Sequence, residues 1–166
     1  EKIEKETVKR PQEPAKPYPY YTEEVTFENK KDKITLSGTL TLPTKKGNHP
    51  VVVLITGSGP QNRDEELLGH KPFLVIADYL TKNGIAVLRF DDRGTGESEG
   101  DFKTATSLDF SYDVASAVNY LQTRKEINKK KIGLMGHSEG GLIAPMVAAT
   151  SKDICFIVLL AGPGIP

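Results

Sequence analysis

Four short, predominantly apolar runs set the strongest limit on what this chain can fold into. Residues 51–55 (Val-Val-Val-Leu-Ile), 85–90, 132–135 and 155–160 are dominated by aliphatic and β-branched side chains. A strand that is apolar on both pleat faces must be covered on both, which is the situation of a parallel sheet flanked by helices. The segments between them carry the helical repeat. Phe73, Ile76, Ala77 and Leu80 fall at i, i+3, i+4 and i+7, with Asn83-Gly84 as the stop signal. Val114, Ala117, Val118 and Leu121 repeat that spacing, and Thr106 with Asp109 supplies a capping box. A third helix is expected over residues 140–149.

The start of the chain differs. Residues 24–27 and 34–42 alternate apolar and polar side chains, the period of half-buried antiparallel strands, and the Lys-rich stretch 30–33 joins them as a hairpin. The expectation is an α/β domain: an antiparallel N-terminal hairpin, then a mostly parallel sheet with flanking helices. Residues 1–20 read as a linker. The first ten are mostly charged, and four of the 11 prolines stand at Pro11, Pro14, Pro17 and Pro19. Proline fixes φ and removes donors, so this stretch is expected to be extended, leaving residues 21–166 as the folded part.

Composition excludes several classes. The 166 residues suffice for one domain. Twenty-two basic residues balance 22 acidic ones, so the basic surplus of a nucleic-acid binder is absent. The longest apolar run, residues 155–161, is too short to cross a bilayer. One cysteine, Cys155, allows no internal disulfide and no thiol pair for zinc. It is expected to be a buried strand thiol. Neither a metal nor a cofactor is expected. The chain begins at Glu1 rather than Met, and its linker-like start leans toward an extracytoplasmic address.

Chemistry concentrates in Gly136-His137-Ser138-Glu139-Gly140, a G-x-S-x-G sequence between an expected buried strand and an expected helix. A nucleophile on so tight a turn has strained backbone angles, and glycines two positions either side remove bulk that would clash. Ser138 Oγ then projects at the carboxyl edge of the sheet, where open α/β sheets place ligands. The Glu139 N–H, at the start of the helix, is one expected oxyanion donor. The second is expected from the loop after the first parallel strand, Thr56-Gly57-Ser58-Gly59-Pro60-Gln61-Asn62. Pro60 has no N–H, so Ser58 is the first choice and Gly59 the second.

Other residues read as structural. Asp91 and Asp92 could form a paired-carboxylate site, but Asp92 with Arg93 more simply pins the Gly94-Thr95-Gly96 loop. Asp109 and Asp113 share a helix face and answer its dipole. Gly140-Gly141 serves close helix–sheet packing, and Pro145 suggests a kink. His137 is expected to pack away from Ser138, and His49 lies in an exposed loop. A dinucleotide fingerprint fails: Asn62 stands where the third glycine after Gly57 and Gly59 belongs, and Gly100 falls one place too far after Gly94 and Gly96.

The blocks Gly57-Ser58-Gly59-Pro60-Gln61-Asn62-Arg63-Asp64, Gly69-His70-Lys71-Pro72-Phe73 and Asp91-Asp92-Arg93-Gly94-Thr95-Gly96-Glu97-Ser98 occur in order. Gly136-His137-Ser138-Glu139-Gly140-Gly141 and Leu159-Leu160-Ala161-Gly162-Pro163-Gly164 follow. Together they resemble bacterial α/β-hydrolase carboxylesterases, near the serine aminopeptidase and dipeptidyl-peptidase branch of that fold. The resemblance covers residues 21–166. It implies a serine hydrolase forming an acyl-enzyme on Ser138 with a small-molecule ester, and it adds Gln61 and His70 as site-lining residues.

The resemblance also exposes a departure. Such enzymes carry the triad in the order Ser, Asp or Glu, His. After the third helix this chain has Asp153 but no histidine before Pro166. The last strands and the triad acid and base are therefore expected beyond Pro166, with His70 lining the site rather than serving as a surrogate base. The uncovered sheet edge would favour self-association. The alternatives are a catalytically silent binding or structural fragment, or a peptidase or thioesterase of the same fold.

Overall fold

The structure, a computed structural model, describes residues 10–164. In chain order the elements are β1 (Tyr21–Asn29), β2 (Ile34–Leu42), β3 (His49–Ile55), α1 (Pro72–Lys82), β4 (Ala86–Phe90), α2 (Ser107–Thr123), β5 (Ile127–His137), α3 (Gly140–Thr150) and β6 (Ile154–Leu160). The strands form one sheet in the order β1-β2-β4-β3-β5-β6. β1, β2 and β4 pair antiparallel, whereas β3 pairs parallel with β4 and β5, and β5 parallel with β6. The antiparallel start followed by parallel strands is the architecture the apolar patterning predicts.

Its cause is visible within β3. Val51, Val53 and Ile55 belong to one apolar cluster, with Val114, Ala117, Val118 and Leu121 of α2 and Ile143, Ala144 and Val147 of α3. Val52 and Leu54, on the opposite pleat face, pack with Phe73 and Ala77 of α1 and Val87 of β4. Each such aliphatic side chain contributes about 1.5–3 kcal/mol on burial. A single run of five apolar residues therefore binds helices to both faces.

The helices begin and end on the signals expected. Pro72 stands in the first turn of α1, where its missing N–H costs nothing, and Gly84 follows the helix at φ 89. Thr106 caps α2, its N–H and hydroxyl both donating to Asp109 Oδ2 at 2.8 and 2.7 Å. Pro145 lies inside α3, which continues past it to Thr150.

Three expectations need correction. β6 is not buried on both faces: among the described residues it has β5 on one side only, and Phe156, Ile157 and Leu159 are exposed. Cys155 on this strand is consequently exposed, not a buried thiol. His49 opens β3 instead of lying in a loop. Of the stretch 1–20, residues 1–9 lie outside those described. Residues 10–20 carry no helix or strand, yet Arg10 donates to the Leu68 carbonyl at 2.8 Å and Lys71 pairs with Glu13. Among the described residues no helix is long and apolar enough to cross a membrane.

Candidate active site

The register of the central strands assembles the site. Ile55 at the end of β3 lies beside Gly136 near the end of β5, so the loop after β3 and the turn after β5 emerge together at the carboxyl edge of the sheet. Ser138 occupies that turn at φ 51, a left-handed conformation that costs a non-glycine residue about 1–3 kcal/mol. Neighbours enforce it. The Ser138 N–H donates to the Leu160 carbonyl of β6, and the Gly141 N–H donates to the Ser138 carbonyl, both at 2.9 Å. A Cβ on Gly140 would sit 2.3 Å from the Ile55 carbonyl oxygen, so α3 starts in contact with the β3 backbone.

The loop after β3 closes against this turn. A Cβ on Gly57 would lie 3.2 Å from Ser138 Cβ, and Gly57 thus lets the two backbones meet. The Gly57 N–H is taken by Glu65 Oε1 at 2.7 Å. The N–H groups of Ser58, Gly59 and Glu139 make no hydrogen bond among the described residues. Gly57, Ser58, Gln61, Leu67, Pro72 and Ser138 line a hollow of about 250 Å³, with Glu65 and His137 completing its wall. Gln61 Nε2 donates to the Ser58 carbonyl at 3.2 Å.

The two aspartates after β4 share the work of bracing. Asp92 holds two loops: its carbonyl accepts the Thr95 N–H at 3.0 Å, as expected, while its carboxylate braces the loop after β3, the Thr56 hydroxyl donating to Oδ1 at 2.7 Å and the Gln61 N–H to Oδ2 at 3.0 Å. Burial pushes its carboxyl up to about 7, against those two donors. Asp91 also braces the 94–98 loop, accepting the Glu97 N–H at 3.1 Å and a forked contact from Arg63. Burial opposes its ionisation, but the Arg63 guanidinium and the Glu97 and Arg63 amides keep it below the usual carboxylate range. Arg93 pairs with Asp113 and Asp32, so Asp113 is a buried charge partner and not a helix-dipole residue.

The histidines are each engaged away from Ser138 Oγ. His49 bonds Thr44. His70, expected to line the site, is exposed, meets Arg10 Nη1 at 2.8 Å, and opens on a separate hollow with Gln12, Val75 and Ile76. His137 differs from expectation in the other direction. It is half exposed, lines the Ser138 hollow, and its Nδ1 lies 2.8 Å from Glu65 Oε1. Glu65 itself was not legible in the sequence: it is buried, at φ 49, and its partner lies 72 residues away. Glu139 adds one more tie, accepting the Ser107 hydroxyl at 2.6 Å.

Comparison with known proteins gives the following. The profile of the family described as Serine aminopeptidase, S33, matches residues 71–165. The chain is 34% identical over 149 residues to Esterase EstD of Thermotoga maritima, a match covering 89% of this chain and 35% of that protein. A solved esterase of Pyrococcus furiosus is 27% identical with a TM-score of 0.71, covering 87% of this chain and 53% of the other. A solved hypothetical protein of Pseudomonas aeruginosa is 25% identical with a TM-score of 0.75, covering 97% and 49%. The chain spans about a third of the Thermotoga esterase and about half of the two solved chains.

Proposed function

Because this chain belongs to the serine aminopeptidase, S33, family of α/β-hydrolases, we propose that it is the nucleophile-bearing part of a serine hydrolase acting on carboxylic esters. The Ser138 turn is its nucleophile elbow. Ser138 Oγ bonds to the acyl carbon as its proton passes to a base, and the carbonyl electron pair moves onto oxygen. The N–H groups of Glu139 and Ser58, with Gly59 as the alternative to Ser58, hold that oxyanion. Collapse of the intermediate expels the alcohol and leaves the acyl group on Ser138, and water then releases the acid. The reading assigns the triad base and acid to positions outside residues 10–164, since no described histidine hydrogen-bonds Ser138.

One observation carries this. Ser138 is held at positive φ between a parallel strand and a helix, beside amides that no described residue occupies. The name of the Thermotoga relative supports an ester substrate. The family description favours a second reading, peptide hydrolysis by the same serine. The test compares the chain with its Ser138→Ala variant on a short-chain p-nitrophenyl ester and on an amino-acid p-nitroanilide. Turnover of the ester lost in the variant supports the first reading, and preference for the anilide supports the second. Equal turnover by parent and variant overturns both. Background rates throughout mean that this stretch is catalytically silent by itself.

A further inference from the structure

Resting on that reading of Ser138, we infer that Glu65 is the positioning residue of the site, one carboxylate oxygen holding both of its walls. Glu65 Oε1 accepts the Gly57 N–H at 2.7 Å and meets His137 Nδ1 at 2.8 Å. Gly57 adjoins Ser58 on the loop after β3, and His137 adjoins Ser138 on the turn after β5. The carboxylate therefore fixes the spacing between the proposed oxyanion amide and the proposed nucleophile. It also fixes the imidazole. In the neutral imidazole the carboxylate acceptor places the proton on Nδ1, which leaves Nε2 as an acceptor on the wall of the hollow.

The carboxylate is delivered by a braced loop. Glu65 stands at φ 49, and its N–H donates to the Asn62 carbonyl at 2.8 Å. The two residues before it are each tied to the sheet: Arg63 forks onto Asp91, and Asp64 pairs with Arg89. Asn62 Oδ1 accepts the N–H groups of Asp64 and Glu66. A residue held in so costly a conformation by anchors on both sides cannot swing to a new partner. Preorganised spacing of this kind is what oxyanion stabilisation needs, because a displacement of an ångström forfeits most of it.

The test has two arms on the full chain. Nitrogen-15 NMR of the parent is expected to show His137 as the Nδ1–H tautomer and the Gly57 amide proton shifted downfield, with both signatures lost in Glu65→Ala. Glu65→Gln, which keeps an acceptor oxygen, is expected to restore the Gly57 signal and serves as the folded control. The second arm measures phenylboronic acid affinity. Ser138 Oγ bonds to boron as its hydroxyl proton passes to water, giving a tetrahedral borate anion without need of a base from the protein. Binding is expected to weaken tenfold or more in Glu65→Ala and to recover in part in Glu65→Gln. Boronate binding that needs Ser138 but ignores Glu65 overturns the positioning role, as does an unchanged Gly57 amide in Glu65→Ala. Binding unaffected by Ser138→Ala overturns the reading of Ser138 instead, and the NMR arm still decides Glu65.

Discussion

A Cβ placed on Gly136 would lie 1.9 Å from the carbonyl oxygen of Gly140. The obstacle is backbone, and it belongs to the first residue of α3, which is itself pressed against the Ile55 carbonyl of β3. Nothing there can rotate aside. Gly136→Ala is therefore expected to destabilise the chain by more than the ~1–3 kcal/mol of ordinary overpacking, because relief requires moving α3 off the sheet. Urea unfolding checks the cost. An unchanged midpoint would mean that α3 shifts freely, and the tight turn at Ser138 would then lose its structural explanation.

Asp92 sets a pH dependence whose sign follows from burial. Its carboxyl is raised from 3.8 to about 7, so between those values the folded chain holds a proton that the unfolded chain has released. Its contribution is fully present below about pH 4, is lost as pH rises toward 7, and is level above that. Asp92→Asn should flatten this slope and raise stability at pH 8, since an uncharged amide can still accept the Gln61 N–H. Thermal midpoints of parent and variant across pH 4–8 decide it. Parallel curves would show that Asp92 ionises freely in the folded state.

How much of this was legible beforehand depended on whether the cause was local. The parallel strands were readable because residues 51–55 and 132–135 carry their own burial requirement in composition. Ser138 was readable because the flanking glycines, the preceding strand and the following helix are contiguous in sequence. The exposure of β6 was not, since burial of an edge strand depends on which strands stand beside it. The further partners of the Asp91 and Asp92 carboxylates were hidden for a geometric reason. Both stand just past the end of β4, where strand alternation no longer sets direction, and the Asp92 carboxylate turns to the Gln61 N–H while that of Asp91 turns to Arg63. Glu65 left no local signal at all, because its meaning lies in an amide eight residues before it and an imidazole 72 residues after it.

Arg93 and Asp113 form the most enclosed ion pair of the sheet's flank. Arg93 Nε meets Asp113 Oδ2 at 2.7 Å and Nη2 meets Oδ1 at 2.9 Å, with Asn29 Nδ2 also donating to Oδ1 at 2.7 Å. Only 2% of the Asp113 side chain is exposed. Arg93→Ala would leave that carboxylate buried with a single neutral donor, at an expected cost of about 3–5 kcal/mol. Replacing both partners by apolar residues, Arg93→Met with Asp113→Leu, should cost markedly less than Arg93→Ala alone. Equilibrium unfolding of the single and double variants measures the difference. A double variant as unstable as the single would show that the pair's geometry, and not the orphaned charge, carries the energy.

The exposed flank of β6 leads to the last prediction. Phe156, Ile157 and Leu159 are 41%, 38% and 47% exposed, and among the described residues the backbone of β6 is paired on one side only. An apolar strand with a free row of N–H and C=O groups is a template for a second strand. We therefore propose that the 166-residue chain self-associates through this edge. Light scattering should show a mass that rises with concentration. Ile157→Lys should lower it, since a charge on an edge strand opposes pairing by burying an unpartnered ammonium. A monodisperse monomer at millimolar concentration would sink the idea.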